Sequence, residues 1–209
     1  MKNQFFTKLI VAAAVVSIST QVKAANILLN SSFESEVQNG LGNHFPVTVT
    51  DWTQNVPATQ FNLVVTDGST VANGIDSSHS GTQYLDLVGV NGWAQQSVTL
   101  AMASSVSFGS YFSRRDGTNS GGRVDIYDST NTALIFSSPT VIATSEEEWI
   151  LSESTQTFVA GTYIFRVDLD DFSNADSAFF DVQAVPEPSA LGLLGLGGVA
   201  ALGLRRRRA

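Results

Sequence analysis

The chain of 209 residues contains no cysteine, only two histidines and, between Ala25 and Ala184, no lysine. Without cysteine the protein forms no disulfide, no thiolate-bound zinc or iron–sulfur site and no thiol nucleophile. Proteins that bind DNA or RNA neutralise phosphates with lysine and arginine. We therefore expect no nucleic-acid partner.

Acidic residues are abundant and are concentrated in the middle of the chain. The whole sequence has a formal net charge of -8, but residues 25–184 contain 18 acidic and four basic residues, a net charge of -14. The other basic residues lie near the N-terminus and in a block at positions 205–208. The sequence therefore divides into three segments of different composition.

Residues 1–24 have the pattern of a secretory signal peptide. Lys2 and Lys8 mark a basic start, an apolar run extends from Leu9 to Ile18, and small or modest residues follow at 22–24. We expect signal peptidase to cut after residue 24 or 25. The alternative is a buried N-terminal helix, which the pattern disfavours because the run is apolar on all sides.

Residues 185–209 have the pattern of a linker followed by a membrane anchor. Pro186 and Pro188 stop any helix or strand and force an extended backbone. After Ser189, residues 190–204 are all Ala, Val, Leu or Gly. As a helix, residues 189–204 span about 24 Å. This is short of a hydrocarbon core about 30 Å thick, but bilayer thinning and snorkelling arginines accommodate the difference.

The arginines after this run fix its orientation, because basic residues beside a membrane span stay in the cytoplasm. They are Arg205, Arg206, Arg207 and Arg208. The sequence thus predicts a transmembrane helix over 189–204, with residues 25–184 outside the cytoplasmic membrane. A soluble apolar hairpin and a disordered tail are the alternatives.

Pro186, Glu187 and Pro188, the short apolar span and the terminal arginines together resemble a PEP-CTERM sorting signal. Such signals occur on exported proteins of Gram-negative bacteria that make extracellular polysaccharide. The resemblance implies that an exosortase recognises residues 186–188 and removes the tail, so that the anchor is transient. An exposed, extended linker suits a protease.

The middle segment has the pattern of an all-β fold. Polar and apolar residues alternate in segments such as 84–88, 106–112, 124–127 and 163–169, and Gly, Asn and Asp occur between them. Period-two alternation with β-branched and aromatic residues predicts an antiparallel β-sandwich over residues 25–184. About 160 residues suffice for one sandwich of eight or more strands.

The order of its landmarks resembles galactose-binding-like jelly-roll domains, which include carbohydrate-binding modules and DUF642-type proteins. The segment 27–34 is similar to their "L-x-N-x-x-F-E" start, and Trp52 follows after a loop. The segment 80–87 is similar to their "G-x-x-x-L-x-L" strand, and 177–182 to their closing "F-D-D-V" strand with one Asp absent.

The resemblance implies a structural calcium ion that joins the first strand to the last. Glu34 and Asp181 match the positions of the two carboxylates, and backbone carbonyls would complete the oxygen ligands. The alternative is that both are metal-free surface or strand-end residues. A second acidic group, at positions 168, 170, 171 and 176, is either a cation site or a solvated face.

Sugar recognition needs flat aromatic faces, with polar groups to bind the hydroxyls. Trp93 follows a turn and precedes two glutamines, and Arg114 and Arg115 end a strand at a Gly-rich loop. We predict that these three residues bind sugar. The alternatives are a core position for Trp93 and ion pairs with nearby carboxylates for the arginines.

No catalytic residue is predicted. His44 and His79 lie in polar stretches, and no serine stands in a nucleophile-elbow pattern. The leading hypothesis is an exported, non-enzymatic surface or matrix protein that binds or scaffolds polysaccharide, with calcium as a possible structural ion. The alternatives are an acidic adhesive matrix protein without sugar binding and a secreted polysaccharide-active enzyme.

Overall fold

The computed structural model describes residues 24–35, 49–55, 61–67, 77–88, 92–115, 119–145, 148–170 and 173–184. The predicted signal peptide and sorting tail lie outside these residues, as do His44 and the acidic position 171. Within the described ranges no helix is long and apolar enough to cross a membrane.

All regular structure in the described residues is β. The strands are β1 (Ala25–Asn26), β2 (Thr53–Asn55), β3 (Phe61–Thr66), β4 (Gln83–Val88), β5 (Gly92–Leu100), β6 (Ser104–Arg114), β7 (Ser120–Asp128), β8 (Leu134–Ser137), β9 (Val141–Ala143), β10 (Ile150–Phe158), β11 (Gly161–Leu169) and β12 (Ser173–Ala184).

The strands form two antiparallel sheets. Sheet A has the order β10-β6-β12-β4-β3, with β1 also paired to β12. Sheet B has the order β2-β5-β11-β7-β8, with β9 also paired to β7. The predicted all-β antiparallel sandwich is confirmed. Most strands that are neighbours within a sheet are distant in the sequence, as in jelly-roll topologies.

Side chains from the inner faces of both sheets fill the core. Phe108, Phe112 and Phe180 of sheet A meet Ile126 and Phe165 of sheet B, and all five are fully buried. This arrangement follows from the period-two alternation along each strand, which directs every second side chain inward.

The N-terminal segment closes one end of this core. The Trp52 ring lies 5.2 Å from the Phe33 ring and 6.1 Å from the Phe165 ring, measured between centroids. Its indole N–H donates a hydrogen bond of 3.1 Å to the Asn30 carbonyl, so its polar atom is satisfied although only 3% of the residue is exposed.

Strand β12 contains a bulge. Its register against β6 shifts between Asp176 and Phe179, and Ser177 inside the bulge has a left-handed φ of 51°. A bulge bends a strand and turns its side chains. Here it lets the first part of β12 pair with β4 while the last part pairs with β1.

Phe158, at the end of β10, lies at the centre of an aromatic cluster. Its ring centroid is 4.9 Å from that of Phe136, 5.0 Å from Tyr163, 5.5 Å from Phe180 and 6.2 Å from Phe108, all at steep interplanar angles. Edge-to-face contacts of this kind add to the free energy gained by burial.

We expect Phe158→Ala to lower the free energy of unfolding by about 3–5 kcal/mol, because it leaves a cavity among four aromatic rings. Chemical denaturation monitored by tryptophan fluorescence measures the loss. Val159→Ala is the control, because Val159 is the next residue along the chain and is 71% exposed. This substitution should change the free energy of unfolding by less than about 0.5 kcal/mol. Equal effects of the two substitutions would contradict this view of the core.

Candidate functional site

The outer face of sheet B is unusually rich in aromatic and charged side chains at strand centres. Three neighbouring strands, β5, β11 and β7, direct alternate residues outward. On this surface, called the polar face below, they place Trp93, Gln95, Arg123, Asp125, Tyr127, Arg166 and Asp168. The strand register aligns them in rows, with Asp168 between Trp93 and Arg123 and with Arg166 between Gln95 and Asp125.

Arg166 is held between two aromatic rings. Its Cζ atom lies 4.5 Å from the centroid of the Trp93 ring and 4.3 Å from that of Tyr127. These diagonal cross-strand contacts are cation–π interactions, which orient the guanidinium and both rings. The three side chains form one ordered unit.

Two amides fix the edge of the same guanidinium. Its Nε and Nη2 atoms donate to the Gln95 side-chain oxygen at 3.1 and 2.9 Å, and Nη2 also donates to the Asn131 side-chain oxygen at 2.5 Å. Nη1 has no hydrogen bond to any residue that the structure describes. Among the described residues, the Nη1 donors of Arg166 are therefore unused.

Asp125 is the buried carboxylate of the face. The Nε atom of Arg123 donates to both of its oxygens at 3.0 and 3.1 Å, and the Ser137 hydroxyl donates to one of them at 2.5 Å. Burial pushes the pKa of Asp125 upward, but the hydrogen bonds from Arg123 and Ser137 outweigh it and bring this pKa below its ordinary value.

Asp168 behaves in the opposite way. Burial, followed by the charge and the close contact of Asp125, raises the pKa of Asp168 to about 7. Among the described residues the buried Oδ2 atom of Asp168 has no hydrogen-bond donor. A carboxyl group that is buried near a second, ionised carboxylate favours its protonated form, so Asp168 keeps its proton up to about neutral pH while Asp125 is ionised.

A small pocket of about 80 Å³ opens beside this pair. Its lining consists of Gly122, Arg123, Thr140, Asp168, Leu169 and Asp170. It continues the row that begins at Trp93, because Trp93, Asp168 and Arg123 are successive cross-strand partners. The polar face thus combines aromatic rings, guanidinium groups, amides and a carboxylic acid on one surface.

Of the three residues predicted to bind sugar, only Trp93 belongs to this face. It is half-buried on the outer side of β5, while its neighbour Ala94 points into the core. Arg114 ends β6 in sheet A and Arg115 follows it. The Nε atom of Arg115 lies 3.4 Å from a carboxylate oxygen of the buried Asp86, the alternative expected for these arginines.

Glu34 holds a loop. The backbone N–H groups of Thr82 and Gln83 each donate to its Oε1 atom at 2.7 Å, and the Thr82 hydroxyl donates to Oε2 at 3.0 Å. Gly81 between them has a φ of 73°, and a Cβ atom there would lie 2.2 Å from the Glu34 carboxylate. Only glycine lets the loop wrap so closely around Glu34.

Asp176, which is fully buried, holds the same loop from the other side. It accepts hydrogen bonds from the backbone N–H groups of Ser80 at 2.9 Å and Ser177 at 2.5 Å. Burial raises the pKa of Asp176 to about 7, and the charge of Glu34 adds to the rise. The carboxylate of β12 that lies near Glu34 is therefore Asp176.

Asp181 lies further along β12, opposite Asn26 of β1 and Ser107 of β6, and its pKa is raised by burial. Calcium needs oxygen lone pairs, whereas the groups around Glu34 are N–H and O–H donors. In the described part of the chain no three acidic or histidine side chains are grouped to hold a metal ion. The calcium site through Glu34 and Asp181 stays a prediction.

The sequence analysis did not identify Arg166, Tyr127, Arg123 or Asp125 as site residues. A signal for them exists, because Arg123, Asp125 and Tyr127 alternate along β7 with the inward Val124 and Ile126. Charged and aromatic residues on the outward positions of a strand centre indicate a functional surface more than a solvated one.

The far C-terminal residues match a family model. Residues 184–208 match the PEP-CTERM protein-sorting motif. The chain carries a PEP-CTERM sorting motif. The match contains residues 186–188, the apolar run and the arginines, so the predicted resemblance is confirmed. This PEP-CTERM motif indicates export and sorting to the cell surface. No match was found among curated proteins.

Solved structures show the fold. A Stig cyclase from Fischerella sp. TAU superposes with a TM-score of 0.59 at 12% identity, covering 77% of this chain and 98% of its own. TmCBM61, solved in complex with β-1,4-galactotriose, gives 0.51 at 16% identity, covering 75% and 97%. The xylan-binding CBM22-1 domain of Paenibacillus barcinonensis Xyn10C gives 0.47 at 16%, covering 78% and 96%. The jelly-roll fold is thus shared with TmCBM61 and with the Stig cyclase, a likeness that does not by itself assign an activity.

The raised pKa of Asp168 makes stability depend on pH. Between about pH 4 and pH 7 the unfolded chain has lost this proton while the folded protein keeps it, so stability falls as the pH rises and levels off above pH 7. We expect denaturant unfolding to show lower stability at pH 8 than at pH 5.

Asp168→Asn should remove part of this dependence, and the rest should remain because the pKa of Asp176 is also raised to about 7. Asp170→Asn, at an exposed neighbouring carboxylate, is the control and should leave the pH dependence unchanged. A wild-type protein that is equally stable at both pH values would contradict the raised pKa values of Asp168 and Asp176.

Proposed function

We propose that this protein is exported, sorted through its PEP-CTERM motif by an exosortase, and retained at the cell surface or in the extracellular matrix, where its sandwich binds polysaccharide without catalysis. The polar face of sheet B is the binding surface. The observation that supports this most directly is the ordered unit of Trp93, Arg166 and Tyr127, three partly exposed side chains on the outer face of sheet B.

The chemistry of the face suits a sugar chain. Aromatic rings offer apolar surface to the C–H groups of a pyranose, and guanidinium and amide groups offer hydrogen bonds to its hydroxyls. Gln95 and Asn131 hold Arg166 in place before any ligand arrives. A site that is ordered in advance loses less entropy on binding.

A second candidate function is an adhesive matrix protein without specific sugar binding. The net charge of -14 over residues 25–184 favours it, because such a surface attracts water and divalent cations. This candidate gives no role to the ordered aromatic rings, whereas polysaccharide binding does.

A polysaccharide-active enzyme has less support. Glycosidases place two carboxyl groups about 5 Å or more apart so that each acts on its own side of the bond. Asp125 is fully buried, and both of its carboxylate oxygens accept hydrogen bonds from Arg123 or Ser137. It is therefore poorly placed to act as one member of such a pair.

Trp93→Ala should weaken polysaccharide binding at least tenfold, about 1.4 kcal/mol, because it removes one ring of the ordered unit. Affinity electrophoresis against a glycan panel, followed by calorimetry on the best binder, measures the change. Trp149→Ala is the matched control. The Trp149 indole packs beside His79 and beside Tyr84 of sheet A, away from the polar face of sheet B. Equal losses in both variants would assign the effect to stability rather than to a binding site.

Replacing Pro186, Glu187 and Pro188 by alanine should leave the protein in the cell membrane with its tail uncut, because these three residues are the proposed recognition site of the exosortase. Immunoblotting of membrane and extracellular fractions reads out processing. A chain ending at Ala184 should be released in a strain without the exosortase. Unchanged processing of the wild-type protein in that strain would refute the sorting mechanism.

A further inference from the structure

The distribution of the arginines points to the kind of polysaccharide. Residues 25–184 contain four arginines in all, and two of them, Arg123 and Arg166, lie on the polar face two strand positions apart on neighbouring strands. A third, Arg115, is next to the buried Asp86 in sheet A. Half of these scarce basic side chains therefore lie close together beside the aromatic rings of the polar face.

Two positive charges lie close together on the face. Arg123 and Arg166 each carry one, within a domain of net charge -14. The raised pKa of Asp168, about 7, reduces the negative charge that opposes them. Asp170 lies at the pocket, but it is exposed, and solvent screens its charge more than that of a buried group.

Both guanidinium groups retain donors for a ligand. Arg123 uses only its Nε atom for Asp125, and Arg166 uses Nε and Nη2 for Gln95 and Asn131. The remaining Nη atoms have no hydrogen bond to another residue in the described ranges. Guanidinium groups bind carboxylates through paired N–H donors, which gives both strength and geometry.

We propose that the polar face binds an acidic polysaccharide, with the carboxylate of a uronic acid residue held by Arg166 and Arg123 and the sugar ring against Trp93 or Tyr127. This inference rests on the proposed function and adds the class of ligand. Repulsion between the acidic domain and an acidic polymer does not prevent it, because salt at physiological strength screens charges beyond about 8 Å. Direct contacts to the arginines act at less than half that distance.

The test compares polysaccharides that differ only in charge. The full-length chain in mild detergent is titrated with a panel of uronic-acid polysaccharides, among them polygalacturonate and alginate, each beside its carboxyl-reduced, neutral form. A chelator is present throughout, so that calcium bridging does not contribute. We expect at least one acidic polymer to bind tenfold or more tighter than its reduced form.

Substitutions test whether the preference for the acidic polysaccharide arises at the polar face. Arg123→Gln and Arg166→Gln should each bring the ratio of the two affinities towards one, and Asp170→Asn should raise it. Arg114→Gln removes the same charge elsewhere and is the control, which should leave the ratio unchanged. Because Arg166→Gln disturbs the aromatic unit, Arg123→Gln decides the question if the Arg166 variant has a lowered melting temperature.

The possible failures are distinguishable. Equal binding of acidic and reduced forms would overturn the charge preference and leave polysaccharide binding intact. Preference that survives Arg123→Gln but is lost with Arg114→Gln would place the site in sheet A. Absence of binding to every acidic, reduced and neutral glycan would overturn the proposed function itself.

Discussion

The alternation of β11 between its two faces determines both the core and the candidate site. Tyr163, Phe165, Val167 and Leu169 point inward and are buried, whereas the residues between them, Arg166 and Asp168 included, point outward. The register of β11 against β5 and β7 aligns Arg166 with Gln95 and Asp125. A slip of one residue would bury a guanidinium and a carboxyl group and expose the aromatic core, so the hydrophobic pattern holds the site in place.

The carboxylates of this acidic domain are stabilised in different ways, and each way has a structural consequence. Glu34 and Asp176 accept backbone N–H groups and fix the loop that contains Gly81. Asp128, at the surface, accepts hydrogen bonds from the Thr130 hydroxyl and from the backbone at Thr132 and Ala133, which lower its pKa to about 2. On the polar face, Asp125 accepts hydrogen bonds from Arg123 and thereby positions Arg123 beside the pocket.

Local patterns in the sequence were sufficient for the fold and insufficient for most of the site. Alternation in segments such as 163–169 predicts strands, because the signal lies within a few residues. Proline, glycine and arginine composition likewise reveals the sorting motif without a structure. The stacking of Arg166 between Trp93 and Tyr127 depends on register between segments that lie about 30 to 70 residues apart. No local pattern encodes that register, nor does one show that Arg114 and Arg115 follow a strand of sheet A while Trp93 lies in sheet B.

The shape of the polar face favours a polymer over a small molecule. Pockets that enclose a drug-sized ligand have volumes of about 300 Å³ or more, whereas the pocket beside Asp168 has about 80 Å³. On the proposed function, the pocket has room for one substituent of a sugar, such as a hydroxymethyl group, and the rest of the sugar would lie on the outer face of sheet B. Single contacts of this kind would be weak. Several copies of the protein on a repetitive polymer would convert them into lasting retention, because each bound copy raises the effective concentration of the next sugar repeat.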